Sequence, residues 1–164
     1  MFVISCAIYT AQLFHIGSEK KDGDEMKPYI HKVQYYETDQ MGIVHHSNYI
    51  RWMEEARIDF LEKIGWAYDR LEEEGLFSPV IGVDCSYKSP SMFGDSVEIN
   101  AFVSEYTGVK LTIHYEMMKG DTLVAKGHSE HTFVSREGKI LRMKKTFPEL
   151  DVLLREMAEE FANK

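Results

Sequence analysis

The chain has 164 residues, 44% hydrophobic and 28% charged, which suits one domain with its own core and is short for two. A formal charge of −8 disfavours a nucleic-acid surface, where clustered Lys and Arg must neutralise phosphates. No apolar run approaches the roughly 20 residues of a membrane span, so the composition points to a soluble protein.

Residues 1–25 open with "MFVISCAIYTAQLFHIG", which is apolar but lacks a basic lead-in and a small-residue cleavage site, so it does not read as a secretory signal. With the polar "SEKKDGDE" behind it, this stretch reads as an appendage to a folded domain spanning 26–164, which starts at Met26. Cys6 and Cys85 form neither a disulfide framework nor a CxxC pair, which points to a reducing, cytoplasmic compartment.

"YIHKVQYY" alternates well enough to predict a strand from Tyr29 to Tyr36. From Tyr49, apolar residues recur at Trp52, Met53, Ala56, Phe60 and Ile64, the spacing of one helix face. Ser47 or Asn48 can cap that helix, and Gly65 ends it. "WAYDRLEEEG" predicts a short second helix. The period then changes, and "SPVIGVDCSYKSP", "DSVEINAFVSEY", "GVKLTIHYEMMKG", "DTLVAKGHSEHTFVSREG" and "GKILRM" all read as strands. Short turns at Gly94, Gly108, Gly120 and Gly138 make them antiparallel neighbours in a meander. "FPELDVLLREMAEEFANK" closes the chain as an amphipathic helix. The expected class is α+β, a curved antiparallel sheet wrapped around one long helix. Ala125, Gly127 and Ser129 form a small-residue face on a late strand where that helix can lie close.

The chemistry concentrates just before the long helix. Asp39, with Gly42 three residues on, sits beside the helix start, where unpaired N–H groups and partial positive charge gather. It either closes a turn or faces something bound there. His45 and His46 are adjacent and point apart, with no HxxxH spacing or further Cys and His cluster, so no metal site is expected. His114, His128 and His131 read as ordinary surface or packed histidines. No serine lies in a GxSxG elbow, Cys85 has no nucleophile signature, and no P-loop or dinucleotide fingerprint occurs. Arg142, Lys144 and Lys145 form the one basic cluster, either a solvated strand end or a hold on the phosphates of a small anionic ligand.

Within "YYETDQMGIVHHSNYIRWMEEAR", Thr38, Asp39, Gly42, Val44, His46, Tyr49, Glu55, Ala56 and Arg57 stand as in a known signature. The stretch resembles the hotdog-fold acyl-CoA thioesterases of the 4-hydroxybenzoyl-CoA thioesterase type, including the Tol-Pal-associated subfamily. The resemblance runs from about Tyr29 to Lys144 and implies a homodimer or homotetramer with active sites between subunits. It implies that Asp39 is the catalytic carboxylate, as nucleophile or as base, and that the backbone N–H near His46 polarises the thioester carbonyl, the His46 side chain positioning water or substrate. Gly42 would allow close approach of the acyl group or a positive φ, and Val44 and Tyr49 would line or support the acyl pocket. Lys88, Ser89, Arg136 and Arg142 are candidates for the CoA phosphates, although Met143 stands where relatives frequently carry proline. Glu55 and Arg57 read as structural pairs. No cofactor is implied, CoA being part of the substrate. Two other classes share these features: a non-catalytic acyl-CoA-binding hotdog module, and a hotdog hydratase or dehydratase.

Overall fold

The computed structural model describes residues 26–163, so the expected appendage, residues 1–25, lies outside the described residues. Strand β1 (Tyr29–Lys32) is shorter than its alternation suggests, because Tyr35–Glu37 wind into one 3-10 turn. The Gln34 N–H donates to Glu37 Oε2 at 2.6 Å, a local bond that replaces the next rungs of a ladder.

Helix α1 (His46–Lys63) follows and buries Tyr49, Trp52, Met53, Ala56 and Phe60, as the spacing predicts. Its cap is neither Ser47 nor Asn48 but His45, whose Nδ1 accepts from the Ser47 N–H at 3.4 Å. Asn48 is turned inward, its Nδ2 donating to the Glu37 carbonyl at 2.8 Å, so a buried acceptor has recruited the amide that local pattern assigns to capping. Helix α2 (Tyr68–Glu73) is the expected short second helix.

The remaining elements are β2 (Val80–Tyr87), β3 (Ser96–Tyr106), β4 (Lys110–Lys119), β5 (Thr122–Thr132), α3 (Met143–Thr146) and α4 (Pro148–Ala162). "GKILRM" is not a strand. The Ser135–Lys139 turn returns the chain for an isolated bridge, Val134 to Ile140, and the Met143 N–H then bonds the Gly108 carbonyl as α3 begins. All five strands are antiparallel in the order β1-β3-β4-β5-β2. Only β3, β4 and β5 form a meander; β2 lies beyond β5, at the opposite edge from β1. Register shifts after Val80, Val103 and Met117 are bulges, which bend strands and tighten their twist.

Gly127 shows why the small-residue face is needed. A Cβ there would collide with Met53 Cε on α1 and with the Asp84 carbonyl of the neighbouring strand. Ala125 and Ser129 on the same face are buried too, so the helix rests directly on β5.

The interior also contains polar groups. Ser129 Oγ lies 2.9 Å from the Tyr115 hydroxyl and 2.7 Å from His131 Nε2, all three buried. His131 is a packed histidine. Burial first, then the charge of Arg57, pushes its pKa down to about 4, against a Ser78 backbone contact that pulls it up, and Nδ1 has no hydrogen-bond partner among the described residues. Folded His131 therefore stays neutral until about pH 4, while the unfolded imidazole takes up a proton near 6.5. Between those values the unfolded chain binds more protons, so stability falls as pH drops, by about 3 kcal/mol at most. Urea midpoints at pH 7.5 and 4.5 should show this slope in the wild type and a flatter one in His131→Asn; equal slopes would remove His131 as its source.

Arg57 is stranger. It is 5% exposed, its Cζ lies 5.3 Å from the Tyr68 ring centroid, and Nη1 has no hydrogen-bond partner among the described residues. It does not pair with Glu55, which instead meets His31 and Tyr29. A desolvated cation–π contact contributes about 2 kcal/mol. Burying an ion costs several, so the ring alone does not offset the burial of this guanidinium.

Candidate active site

Asp39 sits in a tight hairpin between the 3-10 turn and α1. Thr38 bridges Val44, the Asp39 N–H donates to the Ile43 carbonyl at 2.8 Å, and the Gly42 N–H donates back to the Asp39 carbonyl at 3.0 Å. Gly42 holds φ +75°, a conformation that L residues rarely adopt and glycine takes freely, so this glycine serves the bend. Asp39 Oδ1 accepts from the Met41 N–H at 2.8 Å, which is the turn-closing role. Among the described residues no hydrogen bond reaches Oδ2, and the half-buried carboxylate keeps one oxygen for another partner.

Three more bonds fix where this hairpin delivers the chain. The His45 N–H donates to the Glu37 carbonyl at 2.8 Å, the Val44 N–H to the Ser91 carbonyl at 2.8 Å, and the Tyr87 hydroxyl to the His46 carbonyl at 3.0 Å. The first turn of α1 is thus held by β2 and by the loop that follows it. The Ser47 N–H goes to His45 Nδ1 and the Asn48 N–H to the His45 carbonyl. The His46 N–H, which a helix leaves without an internal partner, has none among the described residues. The exposed His46 ring lies 4.1 Å from His45 and 6.4 Å from Tyr87, between centroids.

Below the hairpin lies a polar cluster that sequence reasoning missed. Glu37 is buried and accepts from Trp52 Nε1 at 2.8 Å, from the Gln34 N–H at 2.6 Å and from His31 Nε2 at 2.9 Å. Burial pushes its carboxyl up, but these donors together outweigh it and hold the group below the ordinary carboxylate value. His31 stacks on Trp52 at 4.5 Å and turns its other nitrogen to Glu55 Oε2 at 3.1 Å. Tyr49, buried, packs between Trp52 and Tyr87 and continues this aromatic floor. Val44 and Tyr49 therefore stand under the hairpin, as supports. Trp52 at position 15 after Glu37 is the one sequence hint to the cluster, since a buried indole needs an acceptor.

The residues expected at CoA phosphates divide into two groups. Lys88 and Ser89 leave the end of β2 nearest His46, both N–H groups bonding the Val124 carbonyl, with the Lys88 side chain in solvent. Arg136 lies past the other end of β5, its guanidinium 5.9 Å from the Phe77 ring, and Arg142 precedes α3 as its N-cap. Six residues of paired β2 and β5 separate the Ala125 and His131 rungs, roughly 20 Å. One chain does not bring the two groups together. Cys85 is half-buried, and burial pushes its thiol up, the opposite of an activated nucleophile.

A profile of the thioesterase-like superfamily matches residues 33–161, most of the chain and all of the hairpin, helix and sheet. The chain belongs to the thioesterase-like superfamily. A Bacillus subtilis protein named "Putative acyl-CoA thioesterase YneP" is 36% identical over 120 residues, covering 72% of this chain and 87% of its own length. A 1,4-dihydroxy-2-naphthoyl (DHNA)-CoA thioesterase of Staphylococcus aureus superposes with a TM-score of 0.77 at 27% identity, covering 84% of this chain and 93% of that one. The structure of a hypothetical protein of Aquifex aeolicus gives 0.70 at 38% identity, covering 74% and 96%. The α+β hotdog architecture expected from sequence is the architecture of this superfamily member, and no helix among the described residues is long and apolar enough to cross a membrane.

Proposed function

We propose that this superfamily member is an acyl-CoA thioesterase of the 4-hydroxybenzoyl-CoA thioesterase type, hydrolysing its substrate to a carboxylic acid and CoA without a cofactor, in a reducing, cytoplasmic setting. The observation that carries the reading is two groups, seven residues apart, that have no partner among the described residues: Asp39 Oδ2 on the hairpin and the His46 N–H at the helix start. A thioester already has a good leaving group, so its hydrolysis needs an oxygen to attack and a donor for the carbonyl oxygen as charge develops. Asp39 supplies the first, either attacking the carbonyl itself or taking the proton of the attacking water. The His46 N–H, with the partial positive charge of the helix N-terminus, supplies the second; such a donor contributes about 3 kcal/mol to the transition state. Gly42 leaves the hairpin free of a side chain on the acyl side, with nothing within 4 Å of where its Cβ would stand.

The working unit is at least a dimer. Strand β2 is a sheet edge whose Val80, Ile81, Val83 and Tyr87 are exposed, an apolar edge of the kind that pairs with another chain. Antiparallel pairing of β2 with its twin would set the Val80 end of one copy against the Tyr87 end of the other. That brings one protomer's Arg136 end toward its partner's Lys88, Ser89 and His46, reuniting the two groups of phosphate candidates. Tyr35, Met41 and Phe93 are exposed beside the hairpin and would form the acyl-side wall.

Release of CoA thiol from short, long and aromatic acyl-CoAs, followed with a chromogenic disulfide, tests the activity. Turnover on at least one class is expected, with aromatic acyl groups preferred if the subtype is right. Tight binding without turnover would indicate the non-catalytic module, and loss of enoyl absorbance without thiol release the hydratase.

A further inference from the structure

Thioester chemistry makes no use of the interior beside Arg57. A cavity of about 20 Å³ lies between α1, α2, α4 and β4, bordered by Arg57, Tyr68 and Ser78 and otherwise by aliphatic and aromatic carbon, including Leu71, Leu76 and Ile113. Arg57 is 5% exposed and its Nη1 is buried without a partner among the described residues. No Asp or Glu pairs with it among the described residues, and the neighbouring His131 is neutral at ordinary pH, so the charge of +1 has no counter-charge among the described residues. A guanidinium does not relieve this by deprotonating. The tyrosine face below it falls short of the cost of burial, as described above.

We infer that this cavity is a binding site for one small monovalent inorganic anion of halide size, held by Arg57. Size and lining select that class. The cavity, about 20 Å³, exceeds the roughly 10–15 Å³ that one water needs, which leaves room for a small ion somewhat larger than water. An acyl chain or a nucleotide needs several hundred. The apolar walls offer a doubly charged oxyanion nothing beyond one guanidinium and one serine, whereas a singly charged halide is neutralised by the guanidinium alone and tolerates contact with Tyr68 and the leucines. The site lies on the opposite flank of α1 from the Glu37 cluster, and it joins α1 to α2 and α4 through their shared walls. Its occupancy therefore acts on fold stability and does not depend on the thioesterase reading.

The full-length protein, equilibrated in sodium gluconate and titrated with sodium bromide at constant ionic strength, tests this by thermal unfolding. A saturable rise in Tm is expected, about 5 °C at a hundredfold excess over Kd, with chloride behaving alike. Arg57→Met should lose the bromide dependence. Because that variant can also fail to fold, crystals of the wild type grown in sodium bromide give an independent readout, with an anomalous peak within hydrogen-bonding distance of the Arg57 guanidinium. Identical Tm values in gluconate and bromide, or no anomalous density beside Arg57, would overturn the assignment.

Discussion

Changing Asp39 to Asn should lower thioester turnover at least about a hundredfold, the low end of what a positioned acid or base contributes. The substitution is chosen for what it leaves in place. An Asn carbonyl can still accept from the Met41 N–H, the bond Asp39 Oδ1 makes, so the hairpin and its Gly42 bend persist. What is lost is the negative charge on the oxygen that meets no protein donor. Tm should therefore stay within a degree or two of the wild type while kcat falls and KM changes little. Wild-type turnover in this variant would take Asp39 out of the chemistry. A single turnover in ¹⁸O-water bears on the two roles left to the carboxylate, since label in Asp39 marks a nucleophile whose mixed anhydride water opens at the aspartyl carbonyl, whereas a base never exchanges its own oxygens.

The largest structural effect is expected at Glu37. Replacing it with Ala leaves the Trp52 indole N–H, the Gln34 N–H and the His31 ring facing a void, and removing one member of a buried charged cluster costs about 3–5 kcal/mol. For a chain of this size that corresponds to a Tm lower by roughly 10 °C. Glu37→Gln keeps one acceptor and should lose less, about 1–3 kcal/mol. The sign with pH follows from its depressed carboxyl. The stabilisation is complete above the unfolded value of 4.5 and is lost as pH falls through the folded value, at the acid end of the window in which His131 acts and below it. Activity should fall with stability, because Glu37 lies two residues before Asp39 and ties the hairpin to α1. An Ala variant as stable as the wild type would show that the cluster carries no net energy.

These two positions also mark what the sequence makes legible. The stripe from Tyr49 to Phe60 shows itself because a buried helix face repeats every three to four residues, and Gly127 because a small residue on a strand says that something lies close. Asp39 and Gly42 are visible as a turn that precedes a helix. Glu37, His31 and Trp52 look unrelated at separations of 6 and 15 residues, since their common purpose exists only once β1 and α1 are packed together. The cap was misassigned for the same reason, with Asn48 serving a carbonyl eleven residues back. Arg57 on a wet helix pattern gives no sign of being interior. A predicted strand at "GKILRM" fails because alternation alone cannot tell a strand from a two-rung return.

The edge positions of β1 and β2 carry a consequence for the order of folding. Each pairs only with a strand made later, β1 with β3 and β2 with β5, while β3, β4 and β5 zip by short hairpins. Loop-closure entropy favours the local hairpins first, so the meander is the natural nucleus and the edges are added to it. During synthesis, the hairpin bearing Asp39 has emerged long before Thr132, yet the strand that pins the start of α1 has no partner until β5 is complete. The segment bearing Asp39 is thus translated early and seated late, and in that interval α1 exposes its apolar stripe to whatever meets the nascent chain.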